Sequence, residues 1–356
     1  MNTKTKTALV MAGGTGGHIF PGLAVAQGLR DEGWCVHWLG APNSMEHDLV
    51  SARGFAFESV DFGGVRGKGL QTLVVLPWRL LRAFWQSVQV IRRVQPDVVL
   101  GFGGYITFPG GMMASLWGKS LILHEQNSVA GMANKVLAQL ADRVFMAFPG
   151  VFKTGQWVGN PLRRGFTEQA SPGERYSART GQLRLLVVGG SLGAKALNDI
   201  VPKALALLPP ENRPQVVHQS GAKQIEALRA NYLAAGVQAE LTPFIDDTAA
   251  AFAQADLVIC RAGASTVTEL AAIGVAALFV PFPFAVDDHQ TTNAQFLVSS
   301  GGGWLVPQSE LTADNLAARL KALDRHQLQD LAERAWIHKK TNATRELVMA
   351  CEELTA

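Results

Sequence analysis

Side chains able to transfer protons follow two of the apolar runs in this sequence. His18 closes the glycine-rich segment GGTGGH, and the run LILHEQN carries His124 and Glu125. Open α/β sheets bind ligands at the carboxyl ends of their strands, so these groups are candidates for general acid–base chemistry. A single histidine is more often structural, but two such loops in one predicted domain favour a functional role.

The segment ICRAGASTVTEL, residues 259–270, combines an apolar run, a loop of small residues and a predicted helix start. Free N–H groups at a helix N-terminus attract anions, so this helix is a candidate pyrophosphate site. Glu269 would then accept both hydroxyls of a ribose diol. The alternative is helix capping, with Ser265 or Thr266 as the cap and Glu269 as a first-turn acid. The segment taken alone leaves both interpretations open.

The glycine clusters GGTGGH and GGSLGAK allow backbone to approach a phosphate or a sugar, although a purely structural tight turn is the alternative. Neither matches a known nucleotide fingerprint. Ile19 stands where the dinucleotide pattern requires glycine, and the second cluster lacks the P-loop spacing. No D-x-D occurs, and the acidic pairs at 246–247 and 287–288 are adjacent residues. We therefore expect no metal clamp on a nucleotide.

Apolar runs that end in glycine alternate with amphipathic stretches along the whole chain. ALVMAGG, DVVLGFGG and LRLLVVGG are typical of buried parallel strands, and stretches such as 21–31 and 262–272 are predicted helices. This rhythm predicts an α/β fold. The first and third glycine clusters each open a new series, which indicates two similarly built domains. We place their join near GNPLRRGF, residues 159–166.

The composition of the chain excludes some classes of function. The chain has 356 residues, 48% of them hydrophobic, and a formal net charge of only +3, which argues against nucleic acid as a partner. Three widely spaced cysteines without a ligand set fit a reducing compartment. The apolar stretch near the amino terminus is too short for a signal-peptide core.

Trp78, Leu81, Trp85 and Val88 recur at helical spacing beside an arginine-rich stripe, and Pro77 is a candidate start for that helix. The stripe predicts either a face buried in the domain core or a helix lying in a membrane interface.

Eight segments, GGTGGHIFPGLAVA, GFGGY, LHEQN, VGNPLR, VVGGSLGA, FIDD, CRAGASTVTEL and DDHQTTNA, occur in an order and at intervals that resemble the MurG family of bacterial glycosyltransferases. The resemblance implies the GT-B architecture, with two Rossmann-like, doubly wound parallel-sheet domains facing across a cleft. It assigns residues 1–164 to acceptor and membrane binding, with a last helix at about 341–356 packing back on them. Residues 165–340 would bind UDP-N-acetylglucosamine.

The family's reaction is an inverting transfer of N-acetylglucosamine from UDP-N-acetylglucosamine to the C4 hydroxyl of N-acetylmuramic acid. The acceptor is undecaprenyl-pyrophosphoryl-MurNAc-pentapeptide (lipid I) and the product is lipid II, a precursor of peptidoglycan. The resemblance implies no cofactor and no metal. It suggests His18 as the general base, with Glu125 as the rival, and a helix dipole with Arg163 as stabilisers of the leaving diphosphate.

The resemblance also implies a peripheral enzyme on the cytoplasmic face of the inner membrane, with anionic phospholipid and the proteins of cell-wall synthesis and division as partners. The alternatives are another GT-B enzyme, such as a UDP-sugar 2-epimerase or a diacylglycerol glycosyltransferase, a nicotinamide oxidoreductase, and an inactive membrane scaffold. The substrate-binding positions carried over from the family are Thr15, Gly16, Gly17, Asn127, Arg163, Ser191, Ile245, Ala264, Ser265, Thr266, Val267, Thr268, Glu269 and Gln290.

Overall fold

The computed structural model describes residues 5–64, 70–190 and 193–356. The chain divides into two compact units, which we call unit 1 (Met1–Leu162 with Thr341–Ala356) and unit 2 (Arg163–Lys340). Each unit is built around its own parallel sheet, as the alternating sequence pattern predicts.

Unit 1 holds a seven-stranded parallel sheet in the order β3-β2-β1-β4-β5-β6-β7. Successive residues of β1 enter different clusters, because alternate side chains of a strand point to opposite faces. Ala8 and Val10 pack in one apolar cluster, and Leu9 and Met11 pack in another. The strands are β1 (Thr7–Met11), β2 (Cys35–Gly40), β3 (Ala56–Ser59), β4 (Val98–Gly101), β5 (Ser120–Glu125), β6 (Arg143–Met146) and β7 (Gln156–Trp157).

The helices that cover this sheet differ in two places from the sequence expectation. The helix predicted from residue 21 begins earlier, at Gly16, and Pro77 lies inside a helix that already includes Leu70, so Pro77 does not start it. The described helices of the amino-terminal part are α1 (Gly16–Asp31), α2 (Met45–Ser51), α3 (Leu70–Val94), α4 (Thr107–Leu116) and α5 (Met132–Leu137).

Unit 2 repeats the design with a six-stranded parallel sheet in the order β10-β9-β8-β11-β12-β13. Strands β11 and β12 are buried along their whole length, which explains their continuous apolar sequence. The strands are β8 (Arg184–Val188), β9 (Gln215–Gln219), β10 (Glu240–Thr242), β11 (Leu257–Cys260), β12 (Ala276–Phe279) and β13 (Trp304–Leu305).

Nine helices of the described chain belong to unit 2, and the last helix of the protein belongs to unit 1. Those of unit 2 are α6 (Arg164–Thr167), α7 (Pro172–Ser177), α8 (Lys195–Ala206), α9 (Ile225–Ala235), α10 (Thr248–Gln254), α11 (Ala264–Ile273), α12 (His289–Val298), α13 (Ala313–Lys321) and α14 (Arg325–Trp336). The last helix, α15 (Ala343–Leu354), packs against α1, where Gly28 admits the side chains of Thr344 and Val348.

Strand order reverses once in each sheet, between β1 and β4 in unit 1 and between β8 and β11 in unit 2. Ligands of open α/β sheets bind outside the carboxyl ends of strands at such reversals. The glycine loops after β1 and β4 and the loops after β8 and β11 therefore stand at the expected binding positions. Within the described residues, no helix combines the length and apolar character needed to cross a bilayer.

Candidate active site

The two glycine loops of unit 1 pack directly against each other. A Cβ at Gly104 would lie 2.3 Å from the carbonyl oxygen of Gly13, and a Cβ at Gly103 would lie 3.1 Å from the His18 ring. Both residues also have positive φ, +83° and +95° respectively. Gly103 and Gly104 therefore have a structural role, because only glycine permits this approach.

The N-terminus of α1 is open at this point. Its N-cap residue, Thr15, makes no side-chain capping bond, and the first turn has no acidic residue. Gly16 and Gly17 occupy the first two helical positions and add no side chain that would shield the N–H groups. The end of α1 can therefore receive an anion or a sugar hydroxyl.

Glu125, the rival candidate base, is buried and fully engaged by its own loop. One carboxylate oxygen accepts from the Asn127 backbone N–H at 2.9 Å and from its side-chain amide at 3.4 Å. The other accepts from the Gly131 N–H at 3.0 Å and from Asn134 Nδ2 at 2.8 Å. Glu125 therefore orders the loop after β5, and Asn127 is placed by the same contacts.

His18 lies half-buried at the head of α1 and is linked to a second histidine through a glutamine. Its Nδ1 lies 2.8 Å from Gln126 Oε1, and Gln126 Nε2 lies 2.9 Å from His124 Nδ1. His124 Nε2 lies 2.9 Å from the Gly159 carbonyl oxygen. Burial lowers the pKa of His124 to about 4, the Gly159 hydrogen bond opposes this shift, and nearby His18 adds to it.

The structure adds two residues that the predicted site set did not include. Gln126 is buried, and it joins the two histidines. Glu46 at the start of α2 is also buried, and its carboxylate accepts from the backbone N–H groups of Gly14 and Ala41 at 3.3 and 3.2 Å. Glu46 lies twenty residues beyond the end of the segment GGTGGHIFPGLAVA, and no sequence pattern indicated its burial. Gln126 lies inside LHEQN, and its place beside His124 and Glu125 was the available sequence signal.

In unit 2, the capping interpretation of ICRAGASTVTEL is wrong. Gly263 is the N-cap of α11, Ser265 and Thr266 lie inside the first turn, and Glu269 is the sixth helical residue. The first turn contains no acid and the cap makes no side-chain bond, so its N–H groups are open to a ligand. Ser265 Oγ is buried without a hydrogen-bond partner in the described part of the chain. Ala264, Val267 and Thr268 are buried and hold the helix against the unit.

Glu269 lies in a desolvated position close to a cation. Burial raises its pKa to about 7, and the positive charge of Arg163 opposes that shift. Arg163 in turn donates to Thr248 Oγ1 at 2.7 Å and stacks over the Phe166 ring at 5.1 Å. The structure therefore brings together two predicted site residues that lie about a hundred positions apart in the sequence.

Gln290 joins the loops that follow β11 and β12 in unit 2. Its Oε1 accepts from the N–H groups of Phe282 and Ala262, at 2.9 and 3.3 Å. Its amide nitrogen donates to no other described residue, so two N–H groups remain for a ligand. Ile245 is half-buried in the loop between β10 and α10, whereas Ser191 lies outside the described residues. No group of three or more His, Cys, Asp or Glu among the described residues is arranged to hold a metal ion.

Two Rossmann-like parallel-sheet units, each with an open helix N-terminus at its strand-order reversal, fit the GT-B architecture. The models for the glycosyltransferase family 28 N-terminal and C-terminal domains match residues 8–146 and 184–347. The chain belongs to glycosyltransferase family 28 and is a glycosyltransferase.

Full-length relatives agree with this assignment. A protein of Paracidovorax citrulli is 69% identical over 354 residues, covering 99% of this chain and 100% of its own. One of Polaromonas naphthalenivorans is 68% identical and covers 99% of both chains. Both are named UDP-N-acetylglucosamine--N-acetylmuramyl-(pentapeptide) pyrophosphoryl-undecaprenol N-acetylglucosamine transferase. The crystal structure of Acinetobacter baumannii MurG superposes with a TM-score of 0.87 at 40% identity, over 98% of this chain and 99% of that one.

Proposed function

We propose that this protein transfers N-acetylglucosamine from UDP-N-acetylglucosamine to undecaprenyl-pyrophosphoryl-MurNAc-pentapeptide, a step of peptidoglycan synthesis that yields lipid II. The observation that carries the proposal is the 69% identity, over 99% of the chain, to a relative named for this transfer. The open N-termini of α1 and α11 support it, because each substrate contains a pyrophosphate.

The reaction is an inverting displacement. The C4 hydroxyl oxygen of the acceptor attacks the anomeric carbon, the bond from that carbon to the diphosphate oxygen breaks, and UDP leaves with the electron pair. His18 takes the hydroxyl proton, because its ring is only half-buried whereas the Glu125 carboxylate is committed to four hydrogen bonds. Negative charge on the leaving diphosphate is stabilised by the N-terminus of α11 and by Arg163.

The remaining site residues divide between the substrates. Thr15, Gly16 and Gly17 present backbone groups at the start of α1 to a substrate. Ile245 presents its main chain to the uracil. Ser265 and Thr266 present N–H and hydroxyl groups to the pyrophosphate, Glu269 accepts from the ribose diol, and Gln290 donates to the sugar. Ser191 and Asn127 belong to the same set carried over from the family, and its members Ala264, Val267 and Thr268 hold α11 in place.

Unit 1 also carries the surface for peripheral attachment to the cytoplasmic face of the inner membrane. Trp78, Leu81 and Trp85 of α3 are 74%, 59% and 64% exposed, so the alternative of a core-facing stripe is wrong for them. Leu116 and Trp117 at the end of α4 are exposed as well, and α4 packs against α3. Exposed apolar side chains on adjacent helices fit an anionic phospholipid interface. Proteins of wall synthesis and division would meet the enzyme at this membrane.

The decisive experiment measures transfer of labelled N-acetylglucosamine from its UDP ester to purified lipid I, with and without EDTA. We expect a lipid II product and unchanged turnover in EDTA, since helix N-termini rather than a metal hold the diphosphate. Diacylglycerol serves as the control acceptor and should not react. Transfer to diacylglycerol but not to lipid I would overturn the proposal, and loss of turnover in EDTA that magnesium restores would overturn its metal-independence.

A further inference from the structure

The hydrogen-bond chain behind His18 determines which of its ring nitrogens carries the proton. The chain ends at the Gly159 carbonyl oxygen, which can only accept, so His124 Nε2 must be the donor in the 2.9 Å contact between them. Burial keeps this histidine neutral, with its pKa lowered to about 4. A neutral imidazole that donates from Nε2 has its lone pair on Nδ1.

The orientation of the Gln126 amide follows from that lone pair. The side-chain atom facing His124 Nδ1 must be a donor, which makes it the amide nitrogen, and the same nitrogen donates to the His124 carbonyl oxygen at 3.0 Å. Two acceptors therefore fix the amide, and its oxygen is left facing His18. Because that oxygen can only accept, His18 Nδ1 must donate in the 2.8 Å contact between them.

We propose that Gln126 is a positioning residue that fixes His18 as the Nδ1–H tautomer, through a proton-ordered chain that starts at Gly159 and passes through His124. The lone pair of neutral His18 then lies on Nε2, which has no partner among the described residues. Nε2 is the atom that receives the acceptor's hydroxyl proton, and Gln126 Oε1 stabilises the resulting imidazolium through the Nδ1–H bond. The proton later passes from Nε2 to solvent. The inference rests on the proposed role of His18 as base.

Other titratable groups lie near this ring or near the glycine loop that contains it. They are His124 on β5, Glu125, which reaches the site through Asn134, Glu46 beneath Gly13 and Gly14, and Tyr105 beside Gly14. The tests therefore change Gln126, which does not titrate, and compare the profile of each variant with that of the wild type.

The first test reads the tautomers directly in the full-length protein, by nitrogen-15 NMR of the histidine rings at neutral pH without substrate. We expect Nδ1–H for His18 and Nε2–H for His124. Nε2–H for His18 in the wild type would overturn the inference. The NMR result does not depend on transfer activity. A failure of the proposed function would instead appear as absent lipid II synthesis by the wild type, so the two failures are distinguishable.

The second test compares Gln126→Leu with Gln126→Glu. The leucine variant should lower kcat by roughly 5- to 50-fold with little change in the donor KM, since His18 loses its orienting acceptor. The glutamate variant keeps an acceptor at His18 Nδ1 but loses the donor to His124 Nδ1 and to the His124 carbonyl oxygen, so it should recover only part of kcat, while the acid limb of the rate profile moves to higher pH. Tyr232→Phe is the matched control, because it removes a buried 3.0 Å contact to His218 in unit 2. It should leave kcat unchanged. Equal kcat for the wild type and the leucine variant, or an acid limb that does not move in the glutamate variant, would overturn the inference.

Discussion

At the scale of single residues, the two candidate bases have opposite surroundings. Each oxygen of Glu125 accepts two hydrogen bonds, whereas His18 uses one ring nitrogen and leaves the other free within the described chain. A group that must take a proton needs a lone pair facing the substrate. This contrast favours His18 as the base.

The corresponding prediction concerns His18→Ala. We expect turnover to fall by roughly 10²- to 10⁴-fold, the usual contribution of proton transfer, while the dissociation constant of UDP stays near its wild-type value. Steady-state kinetics together with calorimetry of UDP binding separate the two effects. Glu125→Gln is the comparison, and we expect it mainly to lower the melting temperature. Near-normal turnover of the His18 variant would return the base assignment to Glu125.

Glu269 lies inside the second turn of α11, too far along the helix to act as a cap. Hydrogen bonds to a charged group contribute about 1.5 to 3 kcal/mol, so Glu269→Ala should lower kcat/KM for the donor by roughly 10- to 150-fold. Inhibition by UDP and by 2′-deoxy-UDP tests the contact. The wild type should prefer the ribose form and the variant should not. An equal preference in both proteins would mean that the carboxylate does not contact the sugar.

The raised pKa of Glu269, about 7, makes donor binding depend on pH. The ionised carboxylate is the form that accepts both ribose hydroxyls, so donor affinity should rise as pH rises through 7. If only the ionised form binds, the dissociation constant of UDP-N-acetylglucosamine falls roughly 10-fold between pH 6 and pH 8. Calorimetry across this range measures it, since the pyrophosphate diester does not titrate there. Glu269→Gln should give a flat profile, and a flat wild-type profile would contradict the prediction.

At the scale of elements, the sequence predicted most of the strands but little of the polar network. Continuous apolar runs such as LVIC become buried parallel strands because both faces of the sheet are covered. The sequence predicted the starts of helices less accurately. The helix after GGTGGH begins inside the glycines, at Gly16, where helix propensity is poor but tertiary packing decides. Contacts such as Glu46 with Gly14, or Arg163 near Glu269, join distant residues, and single-sequence periodicity contains no information about them.

The open N-terminus of α11 leads to a prediction in which one substitution raises the stability of unit 2 and weakens donor binding. An acid at a helix start interacts favourably with the helix dipole, so Thr266→Asp should stabilise unit 2 by about 0.3 to 1 kcal/mol. The same charge repels a diphosphate, so the KM for the donor should rise. Thermal unfolding and donor kinetics measure the two effects, and Thr266→Asn is the uncharged control. A donor KM that is unchanged in the aspartate variant would place the diphosphate away from this helix end.

At the scale of the whole molecule, most of the large apolar side chains fill the cores, and some of the exposed ones are grouped on two adjacent helices. Each unit buries its own apolar clusters, yet α3 and the end of α4 keep large apolar side chains in solvent. Some neighbouring basic groups are already paired: Arg82 with Asp61 at 3.0 Å, and Arg93 with Glu58. Membrane attachment through this surface should therefore depend more on the tryptophans than on arginine charge.

The last prediction tests that dependence. Trp78 and Trp85 are seven residues apart and so lie on the same face of α3, as an interfacial helix requires. Changing both to Glu should weaken binding to vesicles containing phosphatidylglycerol by roughly 10-fold or more, because it removes apolar area from the interface and adds charge repelled by the lipid. Leu233→Glu, at a residue of unit 2 that is 85% exposed, is the matched control and should bind as the wild type does. Sedimentation with vesicles measures binding, and transfer to a short-chain soluble acceptor checks that the variant is folded. If the tryptophan variant binds vesicles like the control, this face of α3 is an ordinary solvent-exposed surface and the membrane contact lies elsewhere.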